Sequence, residues 1–215
     1  MTRAILLVGL ALGLSACTSV NHLNRLPTTQ PLRQAENFDR PGPLLLEASG
    51  FEFPERYGSF QRVGAHRFDT EGLDVGVGYN DRRLNCLIVA TFYVYPTPRM
   101  DFVDARPGGV ASIEQSWLDA EFARARAEIE HFHPEMTSVV VGSTSTPTAE
   151  SELQGSSLSF RESDKASELR LFVFGHQWFL KYRFTYPESC QADARARLET
   201  VVAHLPWSGA PLGQR

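Results

Sequence analysis

The sequence lacks clustered basic residues, a second long apolar run, and the short motifs that usually announce catalysis. Its 21 Lys and Arg are outnumbered by 25 Asp and Glu, for a formal charge of -4. Nucleic-acid affinity draws on clustered cations, so that class of function is excluded. No serine sits in a Gly-x-Ser-x-Gly elbow, no His-Glu-x-x-His pair occurs, and Gly76-Val77-Gly78 lacks the third glycine and following helix of a dinucleotide site. Beyond the N-terminus no stretch approaches the roughly 20 apolar residues of a bilayer-spanning helix. The composition, 42% hydrophobic and 21% charged over 215 residues, is that of a globular chain, and excludes collagen, coiled coil and wholesale disorder. This length accommodates one domain with a tail.

What is present begins with an address. Residues 1–16 carry one charge, Arg3, and then an apolar run from Ala4 to Leu14, which reads as a cleaved export signal. Leu14-Ser15-Ala16-Cys17 resembles the lipobox of bacterial lipoproteins at all four positions. The resemblance implies cleavage before Cys17, a diacylglycerol thioether on its sulfur, and acylation of the new amine. Two or three acyl chains make a durable anchor where one is marginal. Thr18 stands where aspartate marks inner-membrane retention in enteric bacteria, so the expected location is the outer membrane, facing the periplasm. Loss of residues 1–16 removes Arg3 and leaves 20 basic against 25 acidic side chains, net -5, so charge would not hold the chain to anionic lipid.

Residues 17–50 read as the lipidated cysteine and a flexible tether, with Pro27, Pro31, Pro41 and Pro43 favouring extended chain. Within it Leu44-Leu45-Leu46 is either a short strand or a turn docked on the domain. Residues 51–207 read as a single globular domain and 208–215 as a tail. Strand-spaced apolar residues recur at Phe60 and Val63, at Leu73 to Tyr79, and at Leu87 to Tyr95, where both faces are expected to be buried. Paired Gly76 and Gly78 on one face make room for a ring or a helix. A helix is expected from Ser112, capped with Gln115 and stopped by Pro134, burying Leu118, Phe122, Ala125, Ile129 and Phe132. Four strands follow, at 137–146, 153–161, 168–174 and 178–186, the last two a hairpin turning at Gly175-His176-Gln177. A second helix, about 189–205, buries Ala194, Leu198, Val201, Val202 and Leu205.

This order predicts an α+β fold, a mostly antiparallel sheet of about six strands with two helices packed on it. It also resembles the Mog1/PsbP-like sandwich: Phe53-Pro54 and Phe60 at the start, a strand pair from Leu73 to Tyr95, a middle helix, a meander, and a closing helix ending at Leu205-Pro206-Trp207. That resemblance spans about 150 residues and implies a binding or assembly factor, since known members are mostly not enzymes.

Candidate chemistry is sparse. Cys86 and Cys190 are either a disulfide, as export favours, or two buried thiols. His131 and His133, near Glu128, Glu130 and Glu135, point about 200° apart on a helix and read as a solvated helix end, not a metal site. Ser143, Ser145, Ser156, Ser157 and Ser159 read as polar strand and turn positions. Asp101 with Asp104, and Glu150 with Glu152, fall in loop-like stretches and read as solvated carboxylates. Trp178, Tyr182 and Tyr186 alternate along one strand face as a core requires, yet with Tyr95 they are the candidate ligand or interaction surface. Tyr95 and Tyr186, each next to a proline at a strand end, are the first candidates for exposure.

The expected protein is therefore a non-enzymatic envelope lipoprotein, a binding or assembly module with no cofactor beyond the lipid on Cys17. Its partners would be the bilayer, through the acyl chains, and an envelope protein. The alternative is a periplasmic carrier of a small apolar ligand held under a helix by the Trp178 face. A hydrolase with a site assembled from distant residues ranks third.

Overall fold

Period-two alternation is strongest from Trp178 to Pro187, and in the computed structural model that segment lies in the middle of a nine-stranded sheet. The structure describes residues 30–83, 86–98, 109–148 and 152–207. The signal, the lipobox, Cys17, residues 18–29, the pair Asp101 and Asp104, Glu150 and the tail 208–215 lie outside them.

In chain order the elements are β1 (Pro31–Asn37), β2 (Leu44–Leu46), β3 (Phe51–Phe53), β4 (Arg56–Tyr57), β5 (Phe60–Asp69), β6 (Val75–Asp81) and β7 (Ile88–Pro96). Helix α1 (Gly109–Phe132) follows, then β8 (Thr137–Pro147), β9 (Glu152–Glu162), β10 (Lys165–Phe174) and β11 (Trp178–Pro187). A 3-10 turn at Glu188–Cys190 leads into α2 (Gln191–Ala203). The main sheet runs β1-β5-β6-β7-β11-β10-β9-β8, with β4 paired to β5, while β2 and β3 form a separate hairpin. Every pairing is antiparallel.

The fold is α+β with two helices, as expected, but the sheet has nine strands where about six were expected. One of the added strands, β1, and the separate strand β2 lie in residues 31–50, read from sequence as tether. β1 is almost wholly exposed and has no apolar alternation to betray it. It is an edge strand, held by backbone pairing to β5 and by the Arg67–Glu36 ion pair. Proline at its first position costs no ladder bond. The segment that follows is pinned by Arg62, whose buried guanidinium donates to the carbonyls of Phe53 (2.8 Å), Arg40 (2.5 Å) and Gly42 (2.9 Å) and pairs with Asp39 (2.8 Å). Leu44-Leu45-Leu46 is thus a strand, and the domain includes residues 31–50.

Two apolar cores lie on opposite faces of the sheet. One joins Phe92, Trp178, Tyr182 and Phe184 to the β2–β3 hairpin and to Ala194, Leu198, Val201 and Val202 of α2. The other joins Leu158, Phe160, Leu171 and Phe179 to Trp117, Leu118, Phe122, Ala125 and Ile129 of α1. Gly155 is required here: a Cβ on it would stand 2.5 Å from the Leu171 carbonyl and 2.6 Å from the Phe172 ring.

Three local expectations are corrected. α1 begins at Gly109, so Ser112 is inside the helix and does not cap it. Phe132 is 69% exposed, because His133, four residues after Ile129, completes the inward stripe by packing on the Phe160 ring. The outer face of the Leu87–Tyr95 strand is open at Leu87 and Val89, since α1 packs chiefly over β9 and β10. Gly76 does make room for rings, those of Phe68 and Tyr93.

Candidate functional site

The residues singled out as a surface are core. Trp178, Tyr182 and Tyr186 are each buried to 1% or less, and Tyr95 to 8%. Tyr182 packs between Phe172, Phe92 and Phe184. Tyr186 donates to the buried Glu168, which also binds Arg195, and Tyr95 donates to Glu121 at 2.5 Å. Trp178, Tyr182 and Tyr186 face a filled layer in which Trp207 closes on Phe172 at 5.3 Å, and Tyr95 lies in the other core, beneath α1. Neither first candidate for exposure is exposed.

The remaining candidates have ordinary partners. His133 bonds Glu162 through Nδ1 (2.9 Å) and Arg183 through Nε2 (2.9 Å), while the His131 ring leans on Phe132. Ser145 donates to Glu152 and Ser157 to the Gly142 carbonyl. Among the described residues no group of three or more His, Cys, Asp or Glu is placed to hold a metal.

Beneath α1 lies a seam of charge. Lys181 Nζ stands 4.8 Å from the centre of the Tyr93 ring and 5.5 Å from that of Tyr95, and burial pushes its amine down. Burial, then the neighbouring Asp69 carboxylate, raise Asp74 to about 6 against the opposing pull of Lys181 and Arg124. Glu121 is engaged by Tyr95 and by Arg124 (2.8 Å). This network ties the polar edge of α1 to Tyr95 of β7.

An open cavity lies elsewhere, a volume of 680 Å³ between the β4–β5 turn and α2. That is within the usual range for small-ligand sites. Gly58, at φ +56, turns the chain between the paired Tyr57 and Phe60 and sets Ser59 at the rim. Tyr57, Phe60 and Val201 form apolar wall, and Arg56, Arg83, Arg197 and His204 bring the polar groups. Among the described residues no carboxylate lines this cavity. A second depression of 590 Å³, which includes Arg82, adjoins it at Ser59 and Arg83.

Its cations are unequal. Arg197 is held from behind: Nη1 donates to the buried Asp81 (3.1 Å), Nε to Asp193 (3.0 Å), and Nη2 to Asp193 as well. Burial works to raise the Asp81 carboxyl, but hydrogen bonds from Ser59, the Arg83 backbone and Arg197 hold it below the usual carboxylate value. Arg83 lies 3.9 Å from Asp81 with its side chain 60% exposed. Arg56 is exposed and has no ion pair or side-chain hydrogen bond among the described residues. His204 Nδ1 donates to the Thr200 carbonyl (2.6 Å), which leaves Nε2 available.

The walls are stapled. Cys86, in the β6–β7 connection that carries Arg82 and Arg83, is bonded to Cys190, immediately before α2, across a sequence separation of 104. The bridge thus fixes the Arg83 wall against the helix carrying Arg197, Thr200 and His204. From sequence the two cysteines were candidates for a bridge and Phe60 and Val201 were read as buried, while none of the polar groups of this site was singled out. Arg197 and Asp81 are 116 residues apart, and no local spacing connects them.

Among the described residues no helix is long and apolar enough to cross a membrane. Comparison of the chain with protein-family models and with curated proteins gives no match.

Proposed function

We propose that this protein is a lipid-anchored lipoprotein of the cell envelope whose exported domain is a non-enzymatic binding module, and that the Arg56–Arg83–Arg197 cleft is its recognition surface. The observation that carries the reading is the Cys86–Cys190 bridge: a staple suited to an oxidising compartment, joining the two walls of an open cleft. The Leu14-Ser15-Ala16-Cys17 sequence supports the anchor, with the acyl chains in the outer membrane and the domain in the periplasm. The -5 charge of the processed chain leaves attachment to the lipid, and a local cationic cleft on an acidic protein favours a ligand over bulk attraction. An assembly factor among envelope proteins remains within this reading.

The anchor is tested by labelling cells with a radioactive fatty acid. Cys17→Ala abolishes the label, and label retained in that variant overturns the anchor. The binding role is tested by a photo-cross-linking side chain at Thr200, which captures an envelope component in cells. Turnover of an envelope substrate by the purified protein, lost on one side-chain change, overturns the non-enzymatic reading.

A further inference from the structure

We infer that the cleft takes an anionic amphiphile, a single oxyanion head on an apolar chain, with the head between Arg56 and Arg83 and the chain along Tyr57, Phe60 and Val201. This deepens the recognition reading above and rests on it. Charge sets the head. Three arginines and a histidine line the cavity, and among the described residues no carboxylate does, the buried Asp81 lying behind Ser59 and Arg197, in a protein whose net charge is -4. Arg197 spends its donors on Asp81 and Asp193, so it supplies a fixed positive background, not the principal contact. Arg56 has no partner among the described residues, and Arg83 has only a distant one at 3.9 Å. Guanidinium forks that face solvent without a carboxylate suit a phosphate or carboxylate group, which each can grip through two N–H donors.

The walls set the rest of the ligand. A small, fully hydrated anion has no use for a 680 Å³ space walled by Tyr57, Phe60 and Val201. Burial keeps the Tyr57 hydroxyl neutral, with its pKa pushed well up, and that hydroxyl is turned to the Glu52 carbonyl (3.2 Å), away from a ligand. The small part of the ring that meets the cavity, with the residue 9% exposed, is therefore apolar. An aliphatic chain gains by leaving water there, while a neutral chain leaves the two arginines unanswered.

The test uses the full processed chain in a neutral maltoside detergent, titrated calorimetrically with dodecyl phosphate and, separately, with inorganic phosphate and dodecyltrimethylammonium. The expected result is saturable one-to-one binding of dodecyl phosphate, at least tenfold tighter than inorganic phosphate, and none of the cation. Arg56→Ala with Arg83→Ala weakens it tenfold or more. Thr200→Trp, an exposed position on α2 that fills the mouth, does the same while leaving both arginines in place. Melting temperatures within about 2 °C of the parent establish that both variants fold. Dodecyl phosphate binding that is absent, or unchanged in both variants, overturns the proposal. Inorganic phosphate binding equally well also overturns it, since the site would then read only the anion. If these fail while the Thr200 cross-link still captures an envelope component, the ligand class is wrong and the binding-module reading stands.

Discussion

Replacing Cys86 and Cys190 together by alanine removes a cross-link that closes a loop with a sequence separation of 104. In the chain-entropy description a loop of that size restricts the unfolded chain by about 4.7 kcal/mol. Folded domains are stable by only about 5–15 kcal/mol, so the bridge accounts for a large part of the total. At about 2–4 °C per kcal/mol for a domain of this size, the melting temperature falls by roughly 9–19 °C. Circular-dichroism melts of parent, double variant and parent with reductant measure it. Reduction and double substitution should agree within about 3 °C, because alanine at buried Cys86 removes only one sulfur's packing. A fall below about 3 °C in both would refute the reasoning, for the bridge would then join elements already restrained in the unfolded chain. The reduced protein should also lose cleft affinity before it loses the sheet, since the bridge holds the Arg83 wall and not the β7–β11 ladder.

Asp74→Asn should stabilise the protein at pH 8 by about 1 kcal/mol, after discounting a partly exposed site for screening. The sign follows from a folded value near 6 against an ordinary 3.8: the penalty on the charged form is full above pH 6, fades as pH falls, and is gone below about 3.8. Denaturant titrations at pH 8 and pH 3.5 check this, and a gain equal at both would contradict it. Gly155→Ala should cost about 3 kcal/mol, because its methyl meets the Leu171 carbonyl at 2.5 Å and a Phe172 ring held between Tyr182 and Trp207. A variant that melts within about 2 °C of the parent would show that β9 can shift away.

The elements that the sequence disclosed are those whose own side chains do the burying. The Trp178–Pro187 strand alternates large rings with polar groups, and α2 spaces Ala194, Leu198, Val201 and Val202 at helical period, so each pattern names its buried face. β1 is the opposite case: its stability lies in backbone bonds to β5, and the sequence Pro-Leu-Arg-Gln-Ala-Glu-Asn looks like a linker. Tyr95 and Tyr186, the first candidates for exposure because each stands beside a proline at a strand end, are covered all the same, since the end of a strand is not the end of its cover. Helix α1 and the buried Glu121 lie over the first, and Glu168 meets the second.

Chain order and periodicity by themselves determined the α+β class, the two helices and the β10–β11 hairpin, because each is written in neighbouring residues. Tertiary structure decided the rest: the strand order, the capture of residues 31–50 by Arg62, the pairing of Cys86 with Cys190, and the cleft where Arg56, Arg83 and Arg197 converge. The physical reason is range. Hydrophobic period is set within a turn or two of chain, whereas a cationic cavity needs side chains from segments more than a hundred residues apart, and only the folded domain brings them together.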